Sequence, residues 1–271
     1  MSGYIYLGAA CCAWGLYLSN RRMKGERAMG FPVLAGLVFL AALVLRLLLG
    51  YYSDGFSVDM STFKSWAYTV HQVGFRDIYQ QDMFLDYPPG YLYILRLLEV
   101  IRQTLGLTLE GQSHTLVMKL PSIFADLACG WVLLRLGRER LGDSGALLVS
   151  AAYLFCPAVF INSAQWGQAD SFCTAILLAS VLFLYKEMYI PAGLIYGVSV
   201  LCKPQMLVFA PLYLCFAVKR KHWLGLALGI GCALGAILVL AAPFTHGFNY
   251  WWLVVKYQST MNYYDYLSVN A

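Results

Sequence analysis

YPPGYLYILRLLEVIRQ, residues 87–103, is apolar enough to suggest a membrane span, yet it carries three charges. Arg96, Glu99 and Arg102 recur every three residues, opposite Leu92, Ile94, Leu95 and Leu98. That stripe predicts an amphipathic helix lying along a membrane surface rather than crossing it. Pro88 and Pro89 stand at its start, where a missing amide donor does least harm. Whether this helix crosses sets the side of every segment downstream.

The charge distribution answers the same way. Apolar runs near 4–19, 31–52, 115–135, 144–162, 169–186, 189–203, 204–218 and 222–243 are candidate spans, since crossing takes about 20 mostly apolar residues. If 87–103 does not cross, the loops at 20–30, 135–143, 186–188 and 219–221 share one side. They hold Arg21, Arg22, Lys24, Arg27, Arg135, Arg138, Arg140, Lys186, Lys219, Arg220 and Lys221, which is 11 of the 19 basic residues. A crossing helix would separate the last seven from the first four, against the positive-inside rule. The loops with these charges therefore face the cytoplasm, and residues 53–114 face away from it.

The chain of 271 residues is 60% hydrophobic and 12% charged, about half the charge of an ordinary soluble domain. Disorder, a nucleic-acid partner and a secreted disulfide scaffold are excluded by that balance. The expected fold is all-α, a polytopic transmembrane bundle of about eight membrane segments forming one module over 1–271 with a long first external loop. The eight cysteines lie in or beside apolar runs, with no CxxC pair or Cys/His cluster, and read as packing residues. No GxxxxGK[ST] loop and no strand-linked GxGxxG is present. Neither a metal nor a cofactor is expected.

Loop 53–114 holds seven of the fourteen acids and many aromatics, which argues for an ordered functional segment. Asp54 and Asp59 follow directly on the run 31–52. A carboxylate just outside the bilayer could serve as a general base, its pKa raised by the apolar phase, or could simply cap the next helix. Asn162-Ser163-Ala164-Gln165-Trp166-Gly167-Gln168-Ala169-Asp170 ends the run 144–162 on the same external side. Trp166 alone would be an interface anchor. With Gln168 and Asp170 beside it, the group suits a sugar, because polar side chains at membrane depth are costly unless used. Lys203-Pro204-Gln205 breaks two short apolar runs. Lys203 could hold a lipid phosphate as a point charge or snorkel to the surface. Asp126 falls within the run 115–135, and Lys119, seven residues earlier on the same face, is its candidate partner.

The order of these motifs resembles the GT-C superfamily of polytopic glycosyltransferases. Asp59 seven residues before Trp66, then Asp86-Tyr87-Pro88-Pro89 and Lys119-Leu120-Pro121-Ser122, look most like the dolichyl-phosphate-glucose-dependent glucosyltransferases of N-glycan assembly. Trp166-Gly167-Gln168-Ala169-Asp170-Ser171 and Lys203-Pro204-Gln205 are similar to bacterial relatives of the GPI mannosyltransferases. The resemblance implies transfer of a hexose from a polyprenyl-phosphate sugar to a glycan, lipid or protein acceptor on the extracytoplasmic face, with inversion. It implies Asp59 as general base, Asp54 as second choice, no metal, and Asp86, Trp166, Gln168, Asp170, Lys203 and Gln205 as substrate-binding residues. The setting it implies is the bacterial plasma membrane, or the endoplasmic reticulum membrane in a eukaryote. Segment 4–19 is an addition to the family pattern. Ser268-Val269-Asn270-Ala271 resembles a motif from the middle of longer relatives, so a fragment, a truncated gene product or a half-size relative is expected.

A transporter or lipid-carrier flippase is the rival from another class, with Lys203-Pro204 as a midplane helix break. It lacks an inverted repeat in the sequence, and the polar residues crowd toward one face.

The topology has a direct check. In single-cysteine variants, a thiol at position 82 should react with an impermeant reagent from outside and one at position 139 only from inside. Reaction of both from one side would reject the interfacial placement of 87–103.

Overall fold

The computed structural model describes residues 30–247, 249–252 and 254–256. Segment 4–19, the basic cluster at 21–27 and the motif at 268–271 lie outside the described residues. Every described element is an α-helix or a shorter helical turn, which agrees with an all-α chain. The elements are α1 (Phe31–Tyr52), α2 (Ser57–Asp77), α3 (Pro89–Thr104), α4 (Gln112–Leu154), α5 (Pro157–Phe160), α6 (Asp170–Tyr185), α7 (Tyr189–Cys202), α8 (Ala210–Arg220) and α9 (Trp223–Ala241). The helical stretches Phe31–Tyr52, Gln112–Leu154 and Trp223–Phe244 are long and apolar enough to cross a membrane, while α6 and α7 are apolar but shorter. The protein is an integral membrane protein.

The chain divides into two compact units. One runs to Thr62 and resumes over Leu105–Ala175; the other comprises Phe63–Thr104 and everything from Ile176.

In the first unit, α1 packs along α4. Leu34, Val38, Ala42 and Leu45 bury one face of α1 in a core shared with Ile123, Leu134, Leu147 and Leu154 of α4. Helix α4 turns at Gly142, whose φ of 65° belongs to the left-handed region that favours glycine. It therefore forms two successive helices, at the place where the charge pattern expected a break. The expected span 144–162 is not one helix. Pro157 cannot donate to a helical ladder and pushes Cys156 into an extended conformation (φ −66°, ψ 120°). The chain then makes the short turn α5 and a wide π-helical turn over Ile161–Trp166, which ends at Gly167 with φ 92°.

In the second unit, α7 lies against α9 at very short range. A Cβ on Gly193 would stand 2.1 Å from the Gly229 carbonyl oxygen, and one on Gly197 would stand 2.4 Å from that of Ala233. Only hydrogen in place of a side chain permits this approach. Gly90, at the start of α3, meets the backbone of Leu201 and Cys202 in the same way, with 2.7 Å left for a Cβ. Tyr93 donates from its hydroxyl to the Leu240 carbonyl at 2.8 Å.

Helix α3 buries Leu92, Leu95 and Leu98 as its periodicity predicts. Its polar stripe, however, does not stay in solvent. Glu99 is fully buried, while Leu97 and Val100 are exposed. Arg102 donates to both Glu99 oxygens at 2.8 and 2.7 Å, and Gln103 donates to Glu99 at 3.0 Å. Partners one turn away satisfy the carboxylate within its own helix, so burial costs far less than for a lone charge. The hydrogen bond to Glu99 in turn raises the Arg102 pKa above its ordinary value.

Gly193→Ala should therefore destabilise the protein by about 1–3 kcal/mol, the usual range for overpacking. Gly36→Ala, where a Cβ meets nothing within 4 Å, should change stability by less than about 1 kcal/mol. Thermal unfolding of the two variants in detergent measures the difference.

Candidate active site

The first unit folds the segment after α1 onto the π-turn, where bonds from Ser53 and Phe56 join the two directly and bonds within the segment and from α4 support them. Ser53 donates from its hydroxyl to the Gln165 carbonyl at 2.8 Å, and that hydroxyl accepts from the Gly55 amide at 3.2 Å. The Phe56 amide donates to the Trp166 carbonyl at 3.0 Å. Ser122 of α4 donates to the Gln168 carbonyl at 2.6 Å. Two glycines make room. A Cβ on Gly55 (φ 81°) would fall 2.4 Å from Met60 Cγ, and one on Gly167 would fall 2.6 Å from Met60 Cε.

This seam brings three of the expected residues together. Asp59, in the first turn of α2, accepts through Oδ2 from the Trp166 indole N–H at 2.7 Å and from the Gln168 amide at 2.5 Å. Both donors are neutral, so they orient the carboxylate without cancelling its charge. Asp59 does not cap α2 with these bonds; it spends them on the opposite strand of the seam. Its Oδ1 accepts no hydrogen bond among the described residues. Phe56 stacks at a tilt on Trp166, with ring centroids 5.0 Å apart, and both rings are partly exposed.

The other expected residues stand elsewhere. Asp54 is exposed and accepts from Gln112 at 2.6 Å. Asp170 opens α6 and accepts from the Asn162 side chain at 3.4 Å. Asp86, Lys203 and Gln205 belong to the second unit. Asp86 is half-buried in the approach to α3, and Gln205 is exposed. Lys203 is extended (φ −151°, ψ 117°) at the expected break between α7 and the 3-10 turn Pro204–Phe209, and it is buried.

Lys119 and Asp126 are not partners. Lys119 donates to the carbonyls of Gly50 and Ser53 at 3.2 and 2.7 Å, closing the C-terminal end of α1 where carbonyls lack helical donors. Asp126 pairs instead with Arg46 of α1 at 2.8 Å and accepts from Ser163. Sequence reasoning passed over Arg46 and Ser163. The signal was present in Arg46, a lone cation in the middle of a 22-residue apolar helix.

Among the described residues no group of three or more His, Cys, Asp or Glu converges as a metal ion would require. Cys129, Cys173 and Cys202 are buried.

Comparison with known proteins places the chain in a family. The model of glycosyltransferase family 87 matches residues 84–271. The chain belongs to that family. An Arabidopsis thaliana protein named dolichyl pyrophosphate Glc1Man9GlcNAc2 alpha-1,3-glucosyltransferase is 24% identical over 223 residues, covering 77% of this chain and 44% of the relative. Its namesake from Eremothecium gossypii is 25% identical over 198 residues, covering 67% of this chain and 34% of the relative. GPI mannosyltransferase 1 of Saccharomyces cerevisiae is 28% identical over 78 residues, 29% of this chain and 19% of the relative. These agree with the resemblance to the GT-C superfamily. The chain spans less than half the length of these curated relatives. The family match begins at Phe84, after Asp54 and Asp59, and includes Trp166 and Gln168.

Gly167→Ala should disturb this seam twice, through a left-handed φ and through contact with Met60. A loss of about 1–3 kcal/mol is expected, read as a lowered melting temperature in detergent.

Proposed function

We propose that the protein is a membrane glycosyltransferase that moves a hexose from a polyprenyl-phosphate sugar to an acceptor hydroxyl on the extracytoplasmic face. The observation that carries the reading is the Asp59 carboxylate, held through one oxygen by Trp166 and Gln168 with the other oxygen open. Family membership supports the reaction class, and the names of the relatives support a hexose as the group moved and a lipid-linked glycan as the class of acceptor.

In the proposed reaction the acceptor O–H gives its proton to Asp59 Oδ1 as its oxygen attacks the anomeric carbon. The bond from that carbon to the phosphate oxygen breaks, the polyprenyl phosphate leaves with the electron pair, and the configuration inverts. The two donors on Oδ2 prevent the carboxylate from rotating, so Oδ1 stays aimed at the acceptor. In the first unit Phe56 and Trp166 offer an apolar face to a sugar ring, and Asp170 accepts from sugar hydroxyls; in the second unit Asp86 is a further substrate-binding residue. Lys203 and Gln205 serve the donor phosphate, Lys203 as a point charge.

Measured in a full-length, active form, Asp59→Asn should lower the transfer rate by roughly 10²-fold or more, about 3 kcal/mol of transition-state stabilisation. Donor binding should survive. Asp54→Asn should remain active, because its carboxylate is engaged with Gln112. The opposite pattern would move the base to Asp54. Lys203→Gln should weaken donor binding by roughly 10- to 100-fold, and unchanged affinity would return Lys203 to a packing role.

A further inference from the structure

The ion pair between Arg46 and Asp126 is fully buried on both sides, and the proposed reaction makes no direct use of it. Its remaining bonds show what it holds. Arg46 Nη2 donates to the Leu154 carbonyl at 2.8 Å, at the last residue of α4 before the chain breaks. Ser163, itself fully buried, donates to Asp126 Oδ2 at 2.5 Å from within the π-turn. The pair thus grips the irregular segment 155–162 at both of its ends. Three residues beyond Ser163 stands Trp166. The Asn162 carbonyl, next to Ser163, accepts both the Gly167 and the Gln168 amides at 3.0 and 3.1 Å.

A pair of this kind is a poor device for stability. Two charges buried among apolar side chains are often replaced by apolar residues without loss, and Asp126 Oδ1 remains buried without a hydrogen-bond partner. What apolar residues cannot do is supply the directional, charge-assisted bonds that reach Leu154 and Ser163 on either side of this irregular segment. From this bracket we infer that Arg46, Asp126 and Ser163 are positioning residues, which set the π-turn so that Trp166 and Gln168 meet Asp59. The inference rests on the reading of Asp59 as the base, but its geometric part can be tested without catalysis.

The test replaces Gln165 by Cys in a full-length protein and reads labelling on the peptide that contains position 165 by mass spectrometry, so that native thiols such as the exposed Cys215 do not contribute. The labelling rate of the new thiol reports how firmly the turn is held. In this background Arg46→Leu with Asp126→Leu should remain monodisperse and melt no lower than the parent. Its labelling at position 165 should rise about fivefold, as local opening becomes easier. Ser163→Ala should do the same, and Ser163→Thr, which keeps the hydroxyl donor, should label like the parent. With Gln165 restored, kcat of the double variant should fall about 10²-fold, the cost of a misplaced group. Parental labelling in both the double variant and Ser163→Ala overturns the inference. If the double variant fails to fold, the Ala and Thr variants at Ser163 decide it. If Asp59→Asn leaves transfer untouched, the base is misassigned, and the labelling rates still decide whether the bracket holds the turn.

Discussion

A guanidinium in the middle of an apolar helix must find a counter-charge or leave. Arg46 finds Asp126 on α4, and the first unit is arranged around that fact. Removing one partner of such a pair typically costs about 3–5 kcal/mol, because the survivor is stranded. The pair thus ties α1 to α4 beside their shared apolar core, and through Leu154 and Ser163 it reaches the chain on both sides of the break after α4.

What the chain does next is governed by backbone chemistry. Pro157 ends regular helix, Gly167 reverses the turn with a φ open to glycine, and Gly55 lets the segment after α1 lie against it. Serine hydroxyls at 53 and 122 take up carbonyls that an irregular stretch leaves unsatisfied. The result is a carboxylate gripped by an indole and an amide at the seam between two short segments. Loops positioned by a rigid scaffold are where binding and catalytic groups commonly lie. Here the scaffold is a helix pair with an ion pair buried between its helices.

The second unit solves its packing by a different means. Helices of membrane proteins gain little from burying apolar surface against each other, so close approach and dispersion matter more. Gly193, Gly197 and Gly90 bring backbones nearly into contact, and the cross-helix bond from Tyr93 is made to a backbone carbonyl. Glu99 shows how a charge can be taken into such packing. It carries donors of its own, Arg102 and Gln103, on the next turn of α3.

Sequence alone determined the all-helical class, the limits of α1, the break at Lys203-Pro204 and the interruption near Gly142. Each of these follows from local properties: hydropathy over a turn or more, the missing amide of proline, the freedom of glycine. It also singled out Asp59, Trp166 and Gln168, because polar side chains are conspicuous in an apolar chain. What it could not supply was pairing. Lys119 and Asp126 share a helical face, yet each bonds across to α1 or to the π-turn instead. Glu99 reads as a surface charge by periodicity but is buried, since helical spacing says which residues share a face and not which face is covered. Partners 80 or 109 positions apart, as in Arg46 with Asp126 and Asp59 with Gln168, are brought together only by the packing of whole helices. Tertiary structure alone decided them, because no local rule links residues so distant in the chain.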